Sequence, residues 1–249
     1  GFAWNLPDYH WAGLWIATDG VIIENSLIEH NHFVGIFFYH SGHHFIYNNL
    51  IGSNDWYGIY GINSTDNEIY YNEITLNGLD GISLHVNASN SVILYNMINS
   101  NGQHGIQLSN APDSVIFGNI LNSNGWDGVA LSNAPNAIIG GNTANLNRWH
   151  GIAVSSSEGA AIFDNTADEN WDDGIVLSNS PLSIITNNYP DGNGDCGICV
   201  YASPNTNITE NTANLNNHGI CVSSSFNTRI IYNIAICLLY TSPSPRDRT

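Results

Sequence analysis

A glycine followed by an aliphatic residue recurs at Gly13, Gly35, Gly58, Gly81, Gly105, Gly128, Gly151, Gly174, Gly197 and Gly219, at spacings of 22 to 24 residues. An asparagine recurs in step at Asn25, Asn49, Asn72, Asn96, Asn119, Asn142, Asn165, Asn188, Asn211 and Asn233, and isoleucine stands three residues before each of them. A fixed period of this length is the mark of a solenoid, in which each repeat is one winding that cannot bury its apolar face alone.

Each repeat carries two apolar segments. In the first, the residues one and three places after the glycine are apolar, as in Ile82 and Leu84, or Val129 and Leu131. Alternation with period two is the pattern of a strand with one buried face. The second segment runs from the isoleucine through the asparagine to an apolar residue two beyond it, which reads Leu27, Ile51, Ile74, Ile98 and Leu121, then Ala144, Ala167, Ala213 and Ala235. The change from leucine and isoleucine to alanine predicts an interior that narrows toward the C-terminal half. Coils stacked about 4.8 Å apart would pair strand on strand, so that ten of them make a rod roughly 45 Å long. Asparagine suits the corners, because it tolerates a left-handed backbone and its amide both donates and accepts along a stack. A second column, Asn54, Asn77, Asn101, Asn124, Asn147, Asn170, Asn193 and Asn216, marks another corner five residues on.

The expectation is therefore an all-β, single-stranded parallel β-helix of about ten coils over residues 13–236, right-handed as parallel crossovers are. A leucine-rich repeat has a similar period, but half of each repeat would have to be helical, and those stretches are rich in Gly, Asn and Ser. Residues 1–12 read as a truncated lead-in. The run from Cys237 to Asp247 resembles an in-frame translation of a transposon-type sequencing adapter, and the repeat fails at the same place, so residues 237–249 read as a non-native tail.

The pattern from Gly105 to Pro112 and from Gly128 to Pro135, each followed by Ile, two residues and Asn, resembles the parallel β-helix repeats of NosD-like proteins. That resemblance implies a place in a wider group associated with carbohydrate binding and sugar hydrolysis. It concerns residues that build coils, so it implies architecture more than chemistry.

Composition narrows the partners. Only 4 residues are Lys or Arg, against 21 Asp and Glu, for a formal net charge of -17. Nucleic acid is a poor partner for such a chain, since phosphate binding needs clustered cations. No run of about 20 apolar residues exists, so no transmembrane segment is expected. An extracellular or cell-surface protein that binds carbohydrate fits best, the alternatives being a polysaccharide hydrolase, lyase or epimerase that uses an Asp cluster, and a structural surface-layer or adhesin repeat.

On a solenoid, function lies in columns of outward residues. The position before each glycine reads Asp80, His104, Asp127, His150, Asp173, Cys196 and His218, and the position before that includes Trp56, Trp126, Trp149, Asp172 and Asp195, with Arg148 and Trp171 one further back. Strict alternation would aim the residue before glycine inward, but no narrow core could hold that column of charge, so the glycine is expected to turn it outward. Trp126, Trp149, His150, Trp171 and Asp195 are then candidate ligand-binding residues, since indole faces stack on sugar rings and carboxylates bond hydroxyls. Asp127, Asp172, Asp173 and Arg148 are candidate catalytic residues, because paired carboxylates serve as acid and base in glycoside hydrolysis. Asp172-Asp173 resembles the adjacent aspartates of polygalacturonase-like hydrolases, whose Gly-His-Gly and Arg-Ile-Lys elements are missing here. The competing reading is ordinary turn chemistry, with Asp and His alternating to avoid stacked like charges.

No cofactor is assigned, although Asp172 and Asp195, one coil apart, are close enough to share Ca²⁺. Cys196, Cys199, His218 and Cys221 have a spacing that superficially matches zinc ribbons, but strand residues three apart lie about 10 Å away on opposite sides, so no metal ligand is expected. Stacked Cys199 and Cys221 could pair in an oxidising compartment, though two small apolar residues in one column is the simpler expectation. The histidines at His10, His30, His32, His40, His43 and His44 read as polar decoration of turns.

Overall fold

The computed structural model describes residues 12–237; the expected lead-in through residue 11, including His10, and the expected tail from residue 238 lie outside the described residues. The described chain is all strand and turn. Two sheets are each ten strands deep, and a third is four strands deep. The first face runs from Leu14–Ile16 to His218–Ser223, and the second from Ile22–Glu24 to Arg229–Ile231. The third face comprises Leu27–Glu29, Leu50–Gly52, Glu73–Thr75 and Met97–Asn99. Beyond Met97–Asn99 it continues as single bridges through Ile120, Thr143, Thr166 and Tyr189, and from Thr143 on the inward residue is smaller, Ala144, Ala167 and Ala213 with Pro190 between them.

All pairing is parallel and in phase with the repeat, as in Val129↔Ile152, Ala130↔Ala153, Leu131↔Val154 and Ser132↔Ser155. The inward positions form a continuous core in which Ile46, Ile69, Ile93, Ile116, Ile139, Ile162, Ile185 and Ile208 are almost wholly buried. The first coil departs from the expected columns by one residue. Ile23 pairs with Ile46, and Ile28 with Ile51, so Ile22 and Leu27 face solvent. Asn25 consequently stands beside the ladder and bonds Asn48, while Ser26 takes the ladder place and donates its N–H to Asn49.

From Asn49 to Asn233 the ladder is continuous. Asn142 is typical: its Oδ1 accepts the backbone N–H and the amide of Asn119, and its own amide donates to Asn165 Oδ1 and to the Ile116 carbonyl. The second column, extended by Asn31, repeats the pattern at the next corner. A third ladder, Ser157, Ser180, Ser203 and Ser225, follows the first face, each hydroxyl accepting a backbone N–H from the coil before. The left-handed residue is the one before each ladder asparagine, not the asparagine itself: Tyr71, Tyr95 and Asp164 precede Asn72, Asn96 and Asn165, and Ser53, Leu76 and Leu146 precede Asn54, Asn77 and Asn147. Left-handed backbone costs an L-residue about 1–2 kcal/mol, and the side-chain bonds of the next residue hold the corner against that cost.

The glycine column exists for close approach. A Cβ on Gly128 would lie 2.7 Å from the Gly151 carbonyl oxygen and 2.9 Å from Ala144 Cβ. Its φ is not left-handed, so the constraint is space between coils and not backbone sign. The histidine cluster does not behave as a unit. His44 is wholly buried, stacked on Phe38 with centroids 4.2 Å apart, and burial lowers its pKa. His30, His40 and His43 occupy left-handed corners as turn residues.

Candidate functional site

The residue before each glycine lies on the outer side of the first face, together with the residues two and four places after it. Ser83 Oγ donates to Asp80 Oδ2 at 2.7 Å, which fixes the shared side. His104, Asp127, Gln107, Ala130, Ser132, Ala153 and Ser155 line one recess of about 200 Å³. Alanine at 130 and 153 makes that room, because longer side chains there would fill it. The charged column is outward as expected, yet tucked in: Asp127 and Asp173 are only 4% and 7% exposed.

Burial is balanced by bonds to the backbone of the following coil. Asp80, Asp127 and Asp173 each accept, through Oδ1, the N–H of His104, His150 and Cys196 respectively, all at 2.9 Å. His104 Nδ1 lies 3.2 Å from Asp127 Oδ2 without hydrogen-bond alignment. His150 Nδ1 accepts the backbone N–H of Asp173 at 3.2 Å and stands 3.6 Å from the Asp173 carboxylate and 4.0 Å from that of Asp172. In the neutral ring this bond leaves the hydrogen on Nε2.

Desolvation pushes the Asp173 carboxyl above the ordinary carboxylate range, against the pull of the Cys196 N–H and His150, with Asp172 and Asp195 adding repulsion. Asp80 is likewise raised, chiefly by burial. A raised carboxyl favours folding when protonated, so the Asp80 contribution is present below pH 3.8 and is lost as pH climbs through the folded-state value. Asp80→Asn keeps the acceptor for the His104 N–H and removes the charge. Its Tm should therefore exceed that of the parent at pH 7 and converge with it near pH 4, as followed by circular dichroism.

The tryptophans form the rim. Trp126 and Trp149 are stacked one coil apart, with centroids at 5.8 Å and an interplanar angle of 28°, and Trp126 meets His104 edge-on at 5.0 Å. Arg148, Trp149, Trp171 and Asp172 line an open trough of about 520 Å³. Arg148 is exposed and makes no ion pair among the described residues, and Trp171 is 76% exposed. Asp195 Oδ1 meets His218 Nδ1 at 2.9 Å. The close donor groups around these residues mix oxygen, nitrogen and sulfur, and none joins Asp172 to Asp195, whereas Ca²⁺ takes six to eight oxygens.

Sequence reasoning assembled Trp126, Asp127, Arg148, Trp149, His150, Trp171, Asp172, Asp173 and Asp195 in one patch; the structure stacks Trp126 on Trp149, sets Arg148, Trp149, Trp171 and Asp172 along one trough, places His150 against Asp172 and Asp173, and pairs Asp195 with His218. It missed the floor, Gln107, Ala130, Ser132, Ala153 and Ser155, although their alternation after each glycine was available. It also missed a second aromatic edge, where Tyr71 and Tyr95 stack at 5.3 Å beside Glu73 and Met97. That edge arises because tyrosine occupies two successive left-handed corners.

Three stacked parallel faces, internal amide ladders and an outer face with a polar floor and an indole rim define a β-helix with one elaborated side. The chain belongs to the right handed beta helix family, whose profile matches residues 2–133 and 98–235. Among solved structures it is similar to the periplasmic alginate epimerase AlgG, with a TM-score of 0.64 and 19% identity over 88% of this chain and 50% of that one. It is also similar to the A-module of the mannuronan C-5 epimerase AlgE4 of Azotobacter vinelandii, with a TM-score of 0.57 and 16% identity over 91% of this chain and 79% of that one. A third is the catalytic unit of a thermostable α-1,3-glucanase from Streptomyces thermodiastaticus, with a TM-score of 0.64 and 16% identity over 90% of this chain and 47% of that one. At these identities the likeness is one of fold, and the chain spans about half the length of the first and third. No curated protein sequence matches it. No helix among the described residues is long and apolar enough to cross a membrane.

Proposed function

We propose that this protein binds polysaccharide along the first face, outside the cytoplasm. The observation that carries the reading is the Trp126 and Trp149 pair, stacked one coil apart at 28°, with Trp126 edge-on to His104 of the neighbouring recess that Asp127, Gln107, Ser132 and Ser155 also line. Sugar rings present apolar faces to indole and hydroxyls to carboxylate and imidazole, and this surface offers both within four coils. The solved relatives are named for work on alginate and α-1,3-glucan, and one is periplasmic, which supports a polysaccharide partner and an exported protein. With a net charge of -17 and Arg148 as the sole cation at the trough, a neutral glycan suits the face better than a polyuronate. Titrating neutral and uronate oligosaccharides while following tryptophan fluorescence tests the proposal. Saturable quenching by a neutral oligomer is expected, and an unresponsive spectrum across the panel would remove the proposal.

Turnover of the bound glycan is the second reading, favoured by one specific feature. Asp173 is buried, raised in pKa and 3.6 Å from a histidine that bonds its backbone, which is how a proton is held ready in a cleft. In this reading Asp173 is the acid, His150 its partner, Asp127 and Asp172 the flanking carboxylates, and Arg148 the cation that steadies developing negative charge. Asp173→Asn should then lower kcat at least 100-fold with KM little changed, as expected for a lost general acid. Equal activity in parent and variant would confine the face to binding.

A further inference from the structure

Three cysteines at the C-terminal end of the first face take no part in the reading above. Cys196 and Cys199 lie on the strand Cys196–Tyr201, and Cys221 on the next, His218–Ser223. Register pairs Cys196 with His218 and Cys199 with Cys221. Expected on opposite sides of their strand, Cys196 and Cys199 instead both point outward. Cys196 precedes Gly197, across which strict in–out alternation breaks within the strand, so it joins the side of the residue two beyond the glycine. The disulfide also differs from the expected stacked pair: it links Cys196 diagonally to Cys221 across a Cα–Cα distance of 6.4 Å, leaving Cys199 free.

Two sets of donor atoms converge here and share Cys196. Cys196, His218 and Cys221 lie within 4.8 Å of one another, and so do Asp173, Cys196 and Cys199. Ligands at about 2.0–2.3 Å in a tetrahedron are roughly 3.3–3.8 Å apart, so the Cys196 and Cys221 sulfurs, bonded to each other in the disulfide, must part after reduction to share an ion with His218. His218 is already oriented. Its Nδ1 meets Asp195 Oδ1 at 2.9 Å, and a carboxylate that takes the Nδ1 hydrogen leaves the Nε2 lone pair free for an ion.

We propose that Cys196, Cys221 and His218, completed by Cys199, form a redox-gated site for a soft divalent cation of the Zn²⁺ type. Thiolate and imidazole donors select such an ion over Ca²⁺ or Mg²⁺, which take oxygen. Cys199 is the register partner of Cys221, and its sulfur lies within 4.8 Å of that of Cys196. The ion and the disulfide compete for the same sulfurs. A dithiol gives two electrons and two protons to the Cys196–Cys221 bond and becomes a disulfide itself, leaving two thiols. Zn²⁺ then displaces three thiol protons to solvent. A small-molecule disulfide takes the two electrons back, re-forms the bond and expels the ion.

The test uses the whole chain, reduced with dithiothreitol, desalted without oxygen and titrated with Co²⁺ as the optical probe. One equivalent should bind with a sulfur-to-cobalt charge-transfer band and tetrahedral ligand-field bands, and Zn²⁺ should bleach both. The oxidised chain should give neither, and Cys196→Ser should lose the band. His218→Ala, at an exposed position that the fold does not need, and Asp195→Asn should each weaken binding about tenfold or more. Cys237→Ser should bind as the parent does. A reduced parent without the charge-transfer band, an oxidised parent with it, or parental affinity in both Cys196→Ser and His218→Ala would overturn the proposal.

Discussion

Replacing Asn142 by alanine is expected to lower the free energy of unfolding by about 4 kcal/mol, read from chemical denaturation. Its side chain accepts two bonds from Asn119 and donates two, to Asn165 and to the Ile116 carbonyl, all in the interior. Truncation leaves several of those groups buried without a partner, at roughly 1–3 kcal/mol each. Water cannot fill the gap, since Asn119 and Asn165 above and below are themselves inaccessible. The position is mid-stack, and coils of a solenoid are held only by their neighbours, so the loss should also uncouple the two halves and broaden the transition. Glu158→Ala, on an exposed turn, should stay within about 0.5 kcal/mol of the parent. A small effect at Asn142 would mean that the amide ladder decorates the corner and does not hold it.

Trp149→Ala should weaken glycan binding by about 2 kcal/mol, roughly 30-fold, the loss typical of a central aromatic anchor. Trp149 borders both the stacked pair with Trp126 and the trough with Arg148, Trp171 and Asp172, so one truncation opens two contacts. Trp171→Ala should cost less. Its ring is 76% exposed and stacks on no other ring among the described residues, so it holds a ligand less firmly. Isothermal titration with one neutral oligosaccharide distinguishes the two variants, and equal affinity in parent and Trp149→Ala would take the rim out of the site.

Much of the architecture is legible in the chain because a period of 23 residues converts sequence neighbours into vertical ones. The isoleucine at 139 and the asparagine at 142 predict their counterparts at 162 and 165, and in-phase pairing delivers them. The same logic fails where the period slips. Asn25 and Asn49 are 24 residues apart, and the first coil absorbs the extra residue by moving Ser26 into the ladder. Corner geometry is hidden for a different reason. The left-handed residues include Tyr71, Tyr95 and Leu76, whose identities carry no such preference, and the ladder bonds of their neighbours override local propensity.

The site divides along the same line. Its rim was visible as a column of Trp, Asp and His before successive glycines, whereas its floor depended on small residues that are conspicuous only when stacked. The cysteines depart from expectation because in–out alternation does not hold across Gly197, so Cys196 and Cys199 share a side although they are three residues apart. A charge column that looked solvated is largely inaccessible, and its bonds to the next coil could not be inferred without knowing the depth at which it sits.

The most direct measurement is a crystal structure with a neutral oligosaccharide bound. Successive rings should lie over Trp126 and Trp149, with hydroxyls within hydrogen-bond reach of His150 and Asp172. Sugar seated instead on the Tyr71 and Tyr95 edge, with both indoles bare, would contradict the assignment of function to the first face.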